Sequence, residues 1–151
     1  MTQTAAATGS WRRNLAADLD AIVIWNARVV VTLLEKHESV ELKIANLGDE
    51  VLRRKMEWIH LPIPDFCVPN ASFDAEWPTQ SQRLRTVLNS GENVLVHCKG
   101  GLGRAGMIAA RLLVELGAEP NEAMARVRAV RPNAIETPRQ EDWVRTGPMT
   151  A

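Results

Sequence analysis

One short stretch of the chain, VLVHCKGGLGRAG, brings together residue types that could bind and attack a tetrahedral oxyanion. A β-branched and apolar run leads into Cys98, a glycine-rich turn follows, and Arg104 stands where a helical pattern begins. Such a turn points several backbone N–H groups into one concavity at the positive end of a helix dipole. We therefore predict a phosphate-binding loop, whose members are Lys99, Gly100, Gly101, Leu102, Gly103 and Arg104.

Cys98 and Arg104 have complementary chemical roles in such a loop. The guanidinium of Arg104 can donate to two phosphate oxygens at once, which the ammonium of a lysine does not match. The same donors stabilise a thiolate, so we expect the pKa of Cys98 to lie well below the free-thiol value of about 8.5. A glycine-rich turn that serves packing alone, with an inert buried cysteine, is the alternative interpretation.

The order His97-Cys98, five residues, then Arg104 resembles the phosphate-binding loop of the protein-tyrosine phosphatase superfamily. Within that superfamily, CKGGLGR is similar to the branch of kinase-associated phosphatases and related bacterial dual-specificity enzymes. Two further segments resemble parts of the same branch, namely LPIPD at 61–65, its general-acid loop, and AIET at 134–137 followed by Gln140, its closing segment. The resemblance extends from about Trp11 to Val144.

The resemblance implies that Asp65 is the general acid that protonates the leaving oxygen. Asp74 is the competing candidate, although its place near the start of a predicted helix favours a helix charge or cap. The resemblance also implies that His97 holds the loop by hydrogen bonding rather than acting as a base. Gln140 is similar to a glutamine that positions water in the second step, with an exposed helix residue as the equal alternative.

Several polar residues have less specific interpretations. Lys99 could attract an anionic substrate or could be a solvated surface charge. Cys67 could trap oxidised Cys98 as a disulfide, but a half-buried small apolar residue is the favoured interpretation. His37 and His60 have no partner at metal-ligand spacing in the sequence, so we predict no metal and no cofactor.

Two features depart from the pattern of the resembled family. Ala105 occupies a position that usually carries a serine or threonine hydroxyl, which hydrogen-bonds the cysteine sulfur and helps it leave. We therefore expect slow breakdown of a phosphocysteine intermediate, or a weak or inactive protein that only binds phosphoryl groups. In addition, Met1–Ser10 is a poor strand, so we expect the sheet edge to be missing or to be completed by a partner subunit.

Strand patterns alternate with helical patterns along the chain. The strands are predicted at 29–34, 58–61 and 94–97, and the main helices at 74–88, 104–116, 121–130 and 137–144. This alternation predicts an α/β fold with a central, mostly parallel sheet flanked by helices. We predict a flexible leader at 1–10, a single phosphatase-type domain at 11–146 and a tail at 147–151.

Composition narrows the function classes. The 18 basic and 18 acidic residues balance, which argues against a nucleic-acid or anionic-membrane surface. No apolar run has the length of a membrane span, and the N-terminus lacks the features of a signal peptide. We therefore expect a cytoplasmic protein whose oligomeric state is open.

The expected function is hydrolysis of phosphomonoesters through a phosphocysteine, with a phosphorylated protein or a small phosphomonoester as substrate. The absence of tyrosine favours a shallow, permissive pocket over one specific for phosphotyrosine. A phosphoinositide phosphatase is an alternative, although Leu102 stands where such enzymes usually carry a lysine. An arsenate reductase or low-molecular-weight phosphatase fits less well because Cys98 lies far from the N-terminus. A non-catalytic phosphoprotein-binding module is the third alternative.

Overall fold

A parallel sheet organises the computed structural model, which describes residues 4–7, 15–65, 67–99 and 103–148. The four strands are β1 (Thr4–Ala7), β2 (Ala27–Thr32), β3 (Glu57–His60) and β4 (Asn93–His97). They lie in the order β1-β4-β2-β3, and every pairing is parallel. The predicted α/β fold with a parallel sheet is therefore confirmed.

Seven helices surround the sheet in the described residues. They are α1 (Leu15–Ile24), α2 (Lys36–Glu41), α3 (Leu47–Arg53), α4 (Ala71–Asn89), α5 (Gly103–Glu115), α6 (Pro120–Val130) and α7 (Pro138–Thr146). None of these helices combines the length and the apolar character needed to cross a membrane.

The alternating side chains of the strands divide the core into two apolar layers. Val29 and Val31 pack on one face of the sheet, in the same cluster as Trp77 of α4 and Ile108 of α5. Val30 points to the opposite layer, where it joins Leu19 of α1. This period of two, with both faces covered, is what a parallel sheet between helices requires.

The carboxyl ends of three strands meet at one edge of the sheet, as they must when the strands are parallel. Thr32, the last residue of β2, lies opposite both His60 of β3 and His97 of β4. Cys98 follows β4 directly, and the loop after β3 reaches Asp65 within five residues. This edge is where an open α/β sheet places its ligand site.

The expectation of a missing sheet edge is wrong. Thr4–Ala7 forms β1 and pairs along β4, with Thr4 opposite Val94 and Ala7 opposite His97. Three alanines have low intrinsic strand propensity, but pairing with an existing buried strand outweighs propensity. The sheet edge is therefore supplied by this chain itself, and the division into leader, domain and tail stays a prediction.

The predicted start of α4 is three residues late. Asn70 is the N-cap, and its side-chain oxygen accepts from the backbone N–H of Phe73 at 3.0 Å. Asp74 consequently lies within the first turn, as a helix charge rather than the cap, and its Oδ1 accepts from Trp143 Nε1 at 3.4 Å. The other predicted helices lie within a few residues of the observed ones.

Candidate active site

The sulfur of Cys98 lies against the first turn of α5. Cys98 is only 2% exposed, and its Sγ accepts from the backbone N–H of Ala105 at 3.4 Å. Because α5 begins at Gly103, this N–H belongs to the group of helix-terminal donors that carry the positive end of the helix dipole. The position suits an anionic sulfur or an anionic ligand beside it.

Arg104 is held end-on by a buried carboxylate that the sequence analysis did not single out. Its Nη1 donates to Glu38 Oε1 at 2.7 Å, and its Nη2 donates to Glu38 Oε2 at 2.9 Å. Nη1 also donates to the carbonyl of Ile63 at 2.9 Å. Both side chains are almost fully buried. Such a two-point ion pair fixes the plane of the guanidinium as well as its position.

The end-on contact with Glu38 leaves the other edge of the guanidinium, formed by Nε and Nη2, for a second anion. Asp65 also contacts Nη2 of Arg104, with its Oδ1 3.3 Å from that nitrogen. Planar guanidinium groups bind phosphate through such a pair of parallel donors. A phosphate placed there would therefore replace the Asp65 carboxylate at Nη2.

The charge of Glu38 is maintained by its partner. Burial alone raises the pKa of Glu38, but the hydrogen bonds from Arg104 and from the Glu35 backbone, together with the Arg104 charge, outweigh burial and leave the pKa below its ordinary value. Glu38 is therefore ionised at neutral pH, and the pair carries no net charge. That neutral pair is the condition under which two charged groups can remain buried.

Asp65 occupies the loop between β3 and α4. Its side chain is 42% exposed and contacts Arg104. Prolines at positions 62, 64 and 69 keep this segment non-helical. The structure thus brings three of the predicted residues, Asp65, Cys98 and Arg104, to one place.

His97 is buried at the end of β4. Its Nε2 lies 2.7 Å from Thr32 Oγ1, and burial lowers its pKa to about 3, with the charges of His60 and Arg104 acting in the same direction. A group with that pKa is neutral at physiological pH and is poorly suited to take up a proton. This agrees with a supporting role rather than that of a base.

Glu136 is a second carboxylate near the site that the sequence analysis did not select. A Cβ added at Gly103 would overlap the Glu136 carboxylate, so this acid lies over the start of α5. Partial burial raises the pKa of Glu136, the Asp65 charge adds to this, and Arg104 opposes it. The carboxyl group is therefore more easily protonated than an ordinary glutamate.

The backbone beside Glu136 is held in an unusual conformation. Ile135 has φ of 59°, a left-handed value that a β-branched residue rarely adopts. Two side-chain contacts support it, because Arg128 donates to the carbonyls of Ala134 at 2.9 Å and of Ile135 at 2.8 Å. Strain of this kind persists where surrounding contacts over-determine it, and it is common at functional sites.

Gln140 is fully buried, and both ends of its amide are used. Its Oε1 accepts from the backbone N–H of Glu136 at 2.7 Å, and its Nε2 donates to the carbonyl of Cys67 at 3.2 Å. The alternative of an exposed helix residue is therefore wrong. In this conformation Gln140 connects the closing segment at 134–137 to the loop that carries Asp65. Its predicted role of positioning a water molecule stays a proposal.

The remaining predicted residues are distributed as follows. Lys99 and Cys67 are exposed, whereas Gly103 and Ala105 are buried at the start of α5. Gly100, Gly101 and Leu102 lie outside the described residues. The backbone cradle predicted for the middle of the loop thus stays a prediction.

One group of residues has the spacing of a metal site, and one of its carboxylates is already bonded to Arg104. The possible ligand atoms of three residues, Glu35, His37 and Glu38, all lie within 4.8 Å of one another. The sequence predicted no metal-ligand partner for His37. Both carboxylate oxygens of Glu38 are bonded to Arg104. A metal there would compete with that ion pair for Glu38.

The missed residues had little signal in the sequence. Glu38 is separated from Arg104 by 66 positions, and nothing in its neighbourhood marks it as a partner of an arginine. Glu136 lies inside the AIET segment, where the resemblance could have drawn attention to a carboxylate.

A family model matches nearly the whole chain. It is described as the Swiss Army Knife protein, DSP-PTPase phosphatase domain (PTP-SAK), and it matches residues 5–144. Among curated proteins, cyclin-dependent kinase inhibitor 3 of Rattus norvegicus is 30% identical over 136 residues, which are 88% of this chain and 63% of that protein. The tyrosine-protein phosphatase CDC14 of Candida albicans is 30% identical over 96 residues, which are 63% of this chain and 17% of that protein.

Solved structures agree with these matches. Kinase associated phosphatase, with its catalytic cysteine replaced by serine, superposes with a TM-score of 0.80 at 26% identity, covering 95% of this chain and 83% of that one. Tk-PTP in its active form has a TM-score of 0.70 at 29% identity, covering 95% and 86%. The chain spans less than two thirds of the length of the first curated relative. From the family match and the shared fold, the chain belongs to the DSP-PTPase family of phosphatase domains.

Proposed function

We propose that the protein is a cysteine-dependent phosphatase that hydrolyses phosphomonoesters through a phosphocysteine intermediate. One observation carries the proposal: the Cys98 sulfur lies at the start of α5, near an arginine whose Nη2 is 3.3 Å from Oδ1 of Asp65. Nucleophile, anion clamp and proton donor are thus within reach of one phosphoryl group. Phosphoryl transfer depends on such positioning and charge stabilisation.

In the first step, the phosphate would bind Nε and Nη2 of Arg104 and displace the Asp65 carboxylate from Nη2. The Cys98 thiolate attacks phosphorus in line, and the bond to the leaving oxygen breaks with its electron pair going to that oxygen. Asp65 then delivers a proton to the oxygen, so an alcohol or phenol departs. A sulfur–phosphorus bond remains on the protein.

In the second step, water attacks phosphorus and releases inorganic phosphate, and the electron pair of the sulfur–phosphorus bond returns to Cys98. Asp65, now ionised, accepts a proton from the water. Gln140 is the residue we expect to position this water. In the present conformation its amide is bonded to the backbone of Glu136 and of Cys67 instead. Gln140 would have to leave one of these partners to contact water directly.

We propose that the substrate is a protein phosphorylated on tyrosine, serine or threonine. Small phosphomonoesters are the broader class of compounds that the site would also accept. The relatives include a protein named kinase associated phosphatase and a tyrosine-protein phosphatase. Exposed Lys99 beside the loop suits an anionic substrate. A cytoplasmic location also remains a proposal.

A phosphoryl-binding module that turns over weakly is the second candidate, and Ala105 is the observation that favours it. The sulfur of Cys98 receives a backbone N–H from Ala105, but no side-chain hydroxyl can join it from this position. The leaving thiolate therefore has one donor fewer in the second step.

The first test is hydrolysis of p-nitrophenyl phosphate near pH 6 with EDTA present. We expect activity that vanadate blocks and that Cys98→Ser reduces to the rate without protein, because an alcohol at this position is a far weaker nucleophile than a thiolate. Cys67→Ser is the matched control and should retain activity. Loss of activity in both variants, or full activity in Cys98→Ser, would contradict the proposal.

The acid can be identified by comparing leaving groups. Asp65→Asn should lower turnover of phenyl phosphate by about 10²–10⁴-fold, and should lower turnover of p-nitrophenyl phosphate much less, because the better leaving group needs no proton. Glu136→Gln is the matched control and should affect both substrates evenly. If instead Glu136→Gln lowers turnover of phenyl phosphate much more than turnover of p-nitrophenyl phosphate, the general acid is Glu136 and not Asp65.

The role of Ala105 can be read from pre-steady-state kinetics. We expect a burst of p-nitrophenolate close to one equivalent, followed by slow turnover, because the phosphocysteine breaks down slowly. Ala105→Ser should remove the burst and raise turnover by roughly tenfold, the effect of one hydrogen bond to a charged group. Absence of a burst, with turnover unchanged in Ala105→Ser, would refute slow breakdown.

The ion pair of Glu38 with Arg104 predicts a stability that depends on pH. Since the folded pKa of Glu38 is below the ordinary 4.5, its stabilisation is complete above pH 4.5 and is lost as the pH falls through the folded pKa. Glu38→Gln should lower the free energy of unfolding at pH 7 by about 1–3 kcal/mol. In urea denaturation this difference should shrink toward pH 3. Exposed Glu41→Gln is the control, and an equal effect of both variants would contradict the prediction.

A further inference from the structure

A chain of hydrogen bonds runs from Trp58 to His97 behind the nucleophile. Trp58 Nε1 donates to Thr32 Oγ1 at 2.8 Å, and Thr32 Oγ1 lies 2.7 Å from His97 Nε2. The three residues come from three neighbouring strands, β3, β2 and β4. Thr32 is 1% exposed and His97 is fully buried, so water has little access to the hydroxyl or to the ring.

The direction of the chain follows from the chemistry of its first member. An indole N–H can only donate, so Thr32 Oγ1 must accept from Trp58. The hydroxyl has a single proton, and within the described residues its contacts are those with Trp58 and His97. If Nε2 of His97 also donated to Thr32, the hydroxyl proton and the Nδ1 lone pair would both be buried without a hydrogen bond from that part of the chain. An accepting Nε2 leaves only Nδ1 in that position, which costs less.

The Trp58 ring is held in place, so the direction of its N–H is fixed. The ring stacks on His60, with centroids 5.2 Å apart and planes inclined by 18°. A Cβ at Gly48 would also overlap the indole, so only glycine at that position leaves room for the ring. The first donor of the chain is thereby set by packing.

His97 is neutral, so only one of its two ring nitrogens carries a proton. Burial keeps its pKa at about 3, and among the described residues His60 and Arg104 add to that lowering. In a neutral imidazole, the hydrogen bond at one nitrogen decides which nitrogen is protonated. An accepting Nε2 therefore means that Nδ1 carries the proton.

We propose that Trp58 and Thr32 fix His97 as the Nδ1–H tautomer and thereby position the loop that carries Cys98. Nδ1 is buried and is the ring nitrogen nearer the main chain, from which Cys98 follows directly, so a proton on Nδ1 favours a backbone acceptor at the start of that loop. Neutral imidazole in water prefers the other tautomer, and the hydrogen-bond chain reverses that preference. The link to Cys98 rests on the proposed phosphatase function, whereas the tautomer itself does not. Trp58 and Thr32 are positioning residues.

The tautomer can be measured by ¹⁵N NMR of the histidine side chains, which needs no activity. Spectra of His37→Gln and His60→Gln assign the signals by elimination. We expect His97 to have a protonated Nδ1 and a non-protonated Nε2. Thr32→Val has nearly the same shape and removes the hydroxyl, so it should shift His97 toward the Nε2–H form. Thr32→Ser keeps the hydroxyl and should preserve the original tautomer.

The second readout is the pH dependence of Cys98 alkylation by iodoacetate, in a Cys67→Ser background so that one thiol reacts. The midpoint should rise by about 0.5–1 pH unit in Thr32→Val, the effect of one weakened hydrogen bond, and should stay unchanged in Thr32→Ser. Trp58→Phe should fall between them, because the freed hydroxyl can then accept from Nε2.

The outcomes separate this inference from the phosphatase proposal. A protonated Nε2 in the wild type, or an Nδ1–H form that survives in Thr32→Val, would overturn the assigned direction. A changed tautomer with an unchanged alkylation midpoint would overturn the link to Cys98. Both readouts are obtained whether or not p-nitrophenyl phosphate is hydrolysed, so failure of the proposed function would leave the tautomer result intact.

Discussion

The buried ion pair between Arg104 and Glu38 is the interaction on which the site depends. An arginine that is 1% exposed would be strongly unfavourable without a charged partner, and Glu38 supplies that partner through two hydrogen bonds. Because the carboxylate takes the end of the guanidinium, the side edge is left for a second anion. One contact therefore compensates the buried charge and also fixes the orientation of the guanidinium.

Each element around this pair positions a different residue of the site. The end of β4 places Cys98, the start of α5 provides the N–H that faces its sulfur, and the loop after β3 brings Asp65 to Arg104. Each of these segments lies at the carboxyl edge of the parallel sheet. Since the sheet is covered by apolar layers on both faces, its rigid core fixes the origins of the loops that meet at the site.

The sequence was most informative where function depends on local spacing. Cys98 and Arg104 are close in sequence and Arg104 lies in the first turn of α5, so their proximity follows from short-range geometry. Glu38 could not be predicted in the same way, because it contacts Arg104 across 66 positions and its own helix, Lys36–Glu41, carries no distinguishing pattern. Long-range pairs of this kind depend on the complete fold.

The strand β1 could not be predicted from the sequence for a related reason. Its sequence, Thr-Ala-Ala-Ala, has weak strand propensity, and only the presence of β4 as a partner makes it a strand. The start of α4 was missed because the capping side chain of Asn70 lies outside the apolar repeat that marked the helix. The α/β class could be predicted because it rests on the alternation of long elements, whereas their ends depend on single hydrogen bonds.

The two hydrogen bonds of Gln140 have a mechanical consequence. One joins the acid loop at Cys67 and the other joins the closing segment at Glu136, so the two carboxylates Asp65 and Glu136 are carried by segments that share one rigid tether. A displacement of either segment by more than about 1 Å stretches a partly buried hydrogen bond beyond its useful length. Motion of the segments that carry Asp65 and Glu136 is therefore coupled through α7, the helix that carries Gln140.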